Sequence, residues 1–191
     1  TVVLAQRLGK VGDVAFGARS DRHTGLDHAA PRLGLVAHAA DHLGARADEL
    51  DPTLGADLGQ LGVVSGTALD GVLARTLQDG DPGGHRRRAL AHFPSPDIAQ
   101  RVIDTYFLPN GRGRGKPYRP HPTLTISPSR AAIELSLAAN FAEVWLAKQG
   151  HDGVVGINML EKVQTANASA ILGAMLAGVD YVIMGAGVPR E

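Results

Sequence analysis

The stretch Gly153-Val-Val-Gly-Ile-Asn-Met-Leu160 decides the fold class, because it is a short apolar run between two helical segments. Residues 154–158 predict a buried β-strand that begins directly after a glycine-containing turn. One helix is predicted before this strand, over 130–149, and another after it, over about 167–177. A second apolar run, 179–184, predicts the next strand. Strands that alternate with helices in this way are typical of an α/β protein with a parallel sheet.

The helix predicted over 130–149 carries the clearest sequence signals. Ser127-Pro128-Ser129 opens it, and Gly150 stands where a left-handed C-terminal cap is expected. Its apolar face is predicted to consist of Ile133, Leu137, Phe141, Val144 and Trp145. A single apolar face of this kind predicts a helix that packs on the core along one side.

The same alternation occurs earlier in the chain. The further predicted elements are a strand at Leu61–Val64, a helix over 68–78, a helical stretch over about 86–106 interrupted at Pro94–Pro96, and a short extended segment at 124–127. Thr67 is expected to cap the first of these helices. The loop over 109–122 is rich in glycine, arginine and proline. In parallel sheets covered by helices, ligands lie at the carboxyl ends of the strands, so the site is expected there.

Residues 1–57 form an atypical N-terminal segment. Residues 1–55 contain no Ile, Asn, Met, Tyr or Trp, and they show only weak helical periodicity and no convincing strand. Two interpretations remain open for this segment: a divergent helical extension, or a stretch translated in the wrong frame of a GC-rich gene. His38 and His42 share a helix face, but nothing else in the segment suggests a metal site, and none is predicted.

Composition and charge exclude several classes of function. The chain has 191 residues, 19 basic and 19 acidic side chains and no cysteine, which argues against nucleic-acid binding, disulfides and thiolate catalysis. No apolar run is long enough to span a bilayer, so a protein without a membrane partner and with a cytoplasmic location is expected. P-loop, Rossmann, HExxH and GxSxG motifs are absent from the sequence.

Three turn clusters are expected at the carboxyl ends of the strands: Ser65–Thr67, Asn158–Lys162 and Gly185–Pro189. An asparagine amide both donates and accepts hydrogen bonds, which suits the edge of a planar cofactor, and it can equally close its own turn. Small residues let the backbone approach a ring, and they are also common at strand exits and helix caps. The candidate cofactor-binding residues are Ser65, Gly66, Thr67, Asn158, Lys162, Gly185, Ala186 and Gly187.

Three stretches carry a family resemblance: Leu58-GQLGVVSGTAL-Asp70, Gly153-VVGINMLEKVQ-Thr165 and Gly178-VDYVIMGAGVPRE-Glu191. Together they resemble consecutive strands two, three and four of the nitronate monooxygenase family, formerly called 2-nitropropane dioxygenases. The resemblance implies that residues 58–191 form part of a (β/α)8 TIM barrel that binds FMN. It also implies a small-molecule substrate, an alkyl nitronate, which the enzyme oxidises with dioxygen. In that setting Lys162 would stabilise the reduced, anionic flavin.

The chain departs from the family pattern in two places. Residues 1–57 do not match the family's Gln-Gly-Gly-Met turn, and the Ala-Gly-Gly-His segment with its catalytic histidine does not occur in the sequence. The catalytic residues are therefore unassigned, and we expect the 191-residue chain to be a poor enzyme or none. A flavin-dependent enoyl reductase of the same fold and a catalytically inactive gene fragment remain the alternatives.

Two further features are interpreted as structural. His151 precedes its strand, so it is predicted at the amino-terminal end of the sheet, away from the chemistry. Arg112-Gly-Arg-Gly-Lys116 resembles a small phosphate-binding loop, but without a following helix N-terminus it is predicted to be a flexible solvated loop.

Overall fold

The computed structural model describes residues 4–7 and 62–185 of the chain. In chain order the strands are β1 (Leu4–Arg7), β2 (Gly62–Ser65), β3 (Val155–Leu160) and β4 (Tyr181–Gly185). The helices are α1 (Leu69–Gln78), α2 (His85–Leu90), α3 (Pro96–Tyr106), α4 (Arg130–Ala147) and α5 (Gln164–Leu176), with a 3-10 turn at Pro82–Gly84. This part of the chain is therefore a mixed α/β structure with five helices.

The sheet has the strand order β1-β4-β3-β2. β2 is parallel to β3 and β3 is parallel to β4, so the predicted parallel arrangement is confirmed. β1 is antiparallel to the outer edge of β4. The prediction that residues 1–55 contain no convincing strand is therefore wrong at Leu4–Arg7. The strand forms because its main-chain groups hydrogen-bond to the edge of β4. Such backbone pairing does not require an alternating apolar side-chain pattern, so the pattern did not reveal the strand.

Helices cover one face of the sheet. Alternate residues of β3, namely Val155, Ile157 and Met159, are buried in a cluster with side chains of α4 and α5. Asn158 and Leu160 point to the opposite face and are exposed. The sheet therefore has one face that α4 and α5 cover and an opposite face on which no described helix packs. Ile183 of β4 lies on that opposite face, beside Asn158, and is nevertheless buried.

α4 is the central helix of the structure. It contacts α1, α2 and α3 as well as α5 and the sheet, so buried residues occur on most of its sides. The prediction of one apolar face is wrong at Ile133, which is 36% exposed. The predicted caps are confirmed: the Ser129 hydroxyl accepts a hydrogen bond from the amide of Ala132 at 3.2 Å, and Gly150 has a φ of 81°.

The other predicted elements hold with shifted bounds. The helical stretch over 86–106 is interrupted between Leu90 and Pro96, as expected. Thr67 does not cap α1, because the N-cap residue is Ala68, which has a φ of 58° and makes no side-chain cap hydrogen bond. The segment 124–127 joins no strand of the sheet.

Candidate functional site at the strand ends

The carboxyl ends of β2, β3 and β4 meet at one edge of the sheet, which we call the rim. Ser65 is the direct partner of Asn158, and Leu160 is the partner of Gly185. The amide of Gly66 donates to the carbonyl of Asn158 at 2.8 Å. The predicted gathering of the three turn clusters is thus confirmed for their described residues, whereas Ala186 and Gly187 lie outside the described residues.

Ser65 and Asn158 present the polar side chains of the rim. Both are exposed, and their register places them side by side on the face on which no described helix packs. No described residue forms a hydrogen bond with the Asn158 amide group, so it does not close its own turn within this part of the chain. A hydroxyl and an adjacent amide together provide donors and acceptors for a ligand.

Gly66 and Thr67 have structural roles that the sequence did not indicate. A Cβ added to Gly66 would lie 2.6 Å from Cε of Met159 and 3.0 Å from Cγ1 of Ile157. Gly66 is therefore small because Met159 packs over it on the helix-covered face. The amide of Thr67 donates weakly to the Ser65 hydroxyl at 3.4 Å, which turns the chain into α1.

Lys162 follows β3 and is exposed. Glu161 accepts a hydrogen bond from the Gln164 amide at 3.2 Å, so its partner is this amide rather than Lys162. Two apolar side chains beside them are also accessible, Leu160 at 37% and Val163 at 39% exposure. The rim after β3 therefore combines one ammonium group with accessible aliphatic surface.

The opposite end of the sheet is built for stability. The two ring nitrogens of His151 are engaged, Nε2 with the Ala147 carbonyl at 2.8 Å and Nδ1 with the amide of Gly153 at 2.9 Å. One carboxylate oxygen of Asp180 binds the Lys148 ammonium at 2.7 Å and the amide of Val155 at 2.9 Å. The structural role predicted for His151 is confirmed.

The residues of the rim fit the ring edge of a flavin in their chemistry. The edge of that ring carries both hydrogen-bond donors and acceptors, which the amide of Asn158 and the hydroxyl of Ser65 can match. Lys162 adds an exposed ammonium group after the end of β3. Within the described ranges no group of three or more potential metal ligands occurs, so no described part of the rim suggests a metal site.

A second concave region lies away from the rim, around the loop over 109–120. The prediction that Arg112–Lys116 is a solvated loop is confirmed for residues 113–116, which are exposed. Arg112 is the exception, because its amide and its guanidinium are bonded to Gln78 and Asp79 of the α1 end. The sequence did not predict the partners, Gln78 and Asp79, because they precede the loop by more than 30 residues. The one sequence feature that pointed to this region was the run of basic residues and glycines in the loop.

No protein-family model, curated protein or solved structure matches this chain. Among residues 4–7 and 62–185, no helix is long and apolar enough to cross a membrane.

Proposed function

We propose that the chain contributes to an FMN site of a (β/α)8-barrel oxidoreductase of the nitronate monooxygenase type. The observation that carries the proposal is the pairing of Ser65 with Asn158 at the carboxyl ends of parallel strands, on the face opposite to α4 and α5. In barrels, that face is the interior and those strand ends form the active site. The three sequence stretches that resemble the family coincide with β2, β3 and β4.

The strand arrangement supports an arc of such a barrel. β2, β3 and β4 are neighbours in chain order, all parallel, and α4 and α5 lie on their outer face. The edge of β4 that a further parallel strand would take is occupied by the antiparallel β1. The proposal therefore concerns one wall of a flavin site, and substrate turnover by this chain alone is expected to be weak or absent.

The polar and charged residues of the rim hold and stabilise the flavin in the proposed site. Asn158 and Ser65 hydrogen-bond the edge of the flavin ring and fix its orientation. Lys162 stabilises negative charge on the reduced ring. A bound flavin would supply the redox chemistry between the nitronate and dioxygen. The exposed aliphatic side chains of Leu160 and Val163 provide apolar surface beside the ring.

Titration of the purified chain with FMN, followed by quenching of flavin fluorescence, tests the proposal. Asn158→Ala should weaken binding by about tenfold, because it removes hydrogen bonds worth about 1–1.5 kcal/mol. Gln149→Ala is the matched control, since Gln149 is exposed at the opposite end of the sheet and its side-chain amide donates to the carbonyl of Trp145 within its own helix end. Absence of saturable FMN binding, or equal effects of the two substitutions, would refute the proposed site.

Activity assays separate the related functions. Oxygen uptake with an alkyl nitronate supports the monooxygenase type, whereas NAD(P)H oxidation without nitronate supports a flavin enoyl reductase. A chain that binds FMN without either activity fits a flavin-binding arc that lacks its catalytic histidine. A chain that fails to bind flavin fits the inactive fragment.

A further inference from the structure

A cleft lies at the far end of α1 from the rim, where the loop over 109–120 crosses the C-terminal ends of α1 and α3. It encloses about 460 Å³, which is within the range of about 300–1,000 Å³ usual for small-molecule sites. α1 has 10 residues, and at 1.5 Å per residue about 15 Å separates its two ends. The cleft is therefore separate from the flavin site proposed at the rim.

The wall of the cleft is preformed. The buried side chain of Gln78 accepts from the amide of Arg119 at 2.6 Å and donates to the Arg119 carbonyl at 3.2 Å. The amide of Arg112 donates to the Gln78 carbonyl at 2.7 Å. These bonds join residues that are more than 30 positions apart, so the loop is held in one arrangement before any ligand arrives.

Positive charge dominates the cleft. The Arg112 guanidinium donates to Asp79 at 2.9 Å and lies 3.9 Å over the ring of Tyr118. Arg119 donates to the carbonyl of Thr105, at the end of α3. These two arginines therefore also stabilise the helix ends. Lys116 is exposed and forms no ion pair with any described residue, so its charge is available to a ligand.

Tyr106 lines the cleft with its ring packed into the core, so the residue as a whole is only 6% exposed. Its hydroxyl is not an enclosed group without a partner, because among the described residues Asn140 Oδ1 is the one buried side-chain atom in that position. Burial raises the pKa of Tyr106, although the positive charge of Arg119 acts in the opposite direction, so the phenol remains a neutral donor near pH 7. A hydroxyl that opens to a cleft lined by cations can donate to a bound anion.

We propose that this cleft binds a phosphate monoester. The phosphate group lies between Lys116 and Arg119 and accepts a hydrogen bond from the hydroxyl of Tyr106. The organic part of the ester packs against the ring of Tyr118 and the adjacent prolines, Pro117 and Pro120.

The test is isothermal titration calorimetry of the full chain with phenyl phosphate and, separately, with inorganic phosphate. We expect saturable binding of both, tighter for phenyl phosphate because its ring contacts Tyr118. Lys116→Ala should weaken binding about tenfold through loss of a charge-assisted contact. Arg114→Ala is the matched control, because Arg114 is an exposed cation of the same loop outside the cleft, and it should change affinity by less than about twofold.

Tyr106→Phe isolates the hydroxyl, since it preserves the buried ring, and it should weaken binding about three- to tenfold. Far-UV circular dichroism verifies the fold of each variant, and Lys116→Gln replaces the alanine variant if that one is unfolded. The proposal is overturned if the wild-type chain shows no saturation, if Arg114→Ala weakens binding as much as Lys116→Ala, or if Tyr106→Phe has no effect. Competition between FMN and phenyl phosphate would also overturn it, because the cleft would then not be a separate site.

Discussion

Gly173 of α5 marks the closest approach of two helices, and replacing it with alanine should destabilise the protein. A Cβ at this position would contact the carbonyl oxygen of Leu137 in α4 and lie 3.1 Å from its C and Cα atoms. These are backbone atoms of the buried central helix, so no side-chain rotation relieves the contact. α5 must therefore move away from α4, and that loosens the packing of both helices on the sheet.

Two opposing effects set the magnitude. An unhindered Gly→Ala change inside a helix stabilises by about 0.5–1 kcal/mol. Overpacking in a well-packed interior costs about 1–3 kcal/mol, and a contact with backbone belongs to the upper part of that range. We therefore expect Gly173→Ala to lower the free energy of unfolding by about 1–2 kcal/mol. In urea this corresponds to a midpoint lower by about 0.5–1 M.

Gly71 of α1 provides the matched control. A Cβ there would meet only the ring of His121, at 3.2 Å and 3.3 Å, and that ring is the far end of a rotatable side chain. Gly71→Ala should therefore be neutral or stabilising by up to about 1 kcal/mol. Urea unfolding followed by circular dichroism at 222 nm measures both variants. If Gly173→Ala is as stable as the wild type, or if both variants shift in the same direction, the close helix approach is not what restricts position 173.

Three further predictions concern buried or half-buried carboxylates. The pKa of Glu134 is lowered from 4.5 to about 2, chiefly by hydrogen bonds from Arg101 and further by a hydrogen bond from Arg130. Burial of the carboxylate acts in the opposite direction but is outweighed. The stability that ionised Glu134 gives to the folded protein is therefore complete above about pH 4.5 and is lost as the pH falls towards about 2. Because the two arginines are exposed and screened, this contribution amounts to about 1–2 kcal/mol. Thermal unfolding of Glu134→Gln, measured as a function of pH, should lack this acid dependence. Asp81 accepts from two backbone amides at the start of α2, so Asp81→Ala should lower the free energy of urea unfolding by about 1–2 kcal/mol, and Asp81→Asn, which keeps an acceptor oxygen, by less. Asp180→Ala removes the hydrogen-bond acceptor for Lys148 and for the amide of Val155 at the start of β3, and we expect a fall in melting temperature equivalent to about 1 kcal/mol. Asp152→Ala is the control, because Asp152 is an exposed carboxylate in the turn before β3, and its melting temperature should be unchanged.

The parallel strands and their common rim were predictable because their signals are local. A run such as 154–158 is apolar, short and preceded by a glycine turn, and each of these properties is set by neighbouring residues. When strands alternate with helices, each helix carries the chain back to the start of the next strand, so the strands run parallel. The carboxyl ends of β2 and β3, with Ser65 and Asn158, therefore lie at the same edge of the sheet. The exact pairing of these two residues needed the structure, because register depends on both strands at once.

The environment of α4 was not predictable in the same way. Periodicity detects a helix with one apolar face, but α4 lies between a helical layer and the sheet. Ala138 and Ala142 are fully buried because their small side chains let other elements approach closely, and alanine is also the commonest residue on exposed helices. Ile133, with its larger apolar side chain, is the exposed one. Side-chain hydrophobicity therefore does not identify the buried positions of such a helix.

The strand that pairs with the outer edge of β4 distinguishes an open sheet from a wall of a barrel. Parallel strands with helices on one face are common to open sheets and to barrels, and the difference lies in what pairs with the outermost strand. Here β1 pairs with β4 in the antiparallel direction, and thereby takes the hydrogen-bonding groups that another parallel strand would use. The rim residues Ser65 and Asn158 depend only on β2 and β3, so their arrangement holds whichever strand borders β4. The proposed flavin binding can consequently be tested separately from catalytic turnover, because the proposed contacts of Ser65 and Asn158 lie on the β2–β3 pair alone.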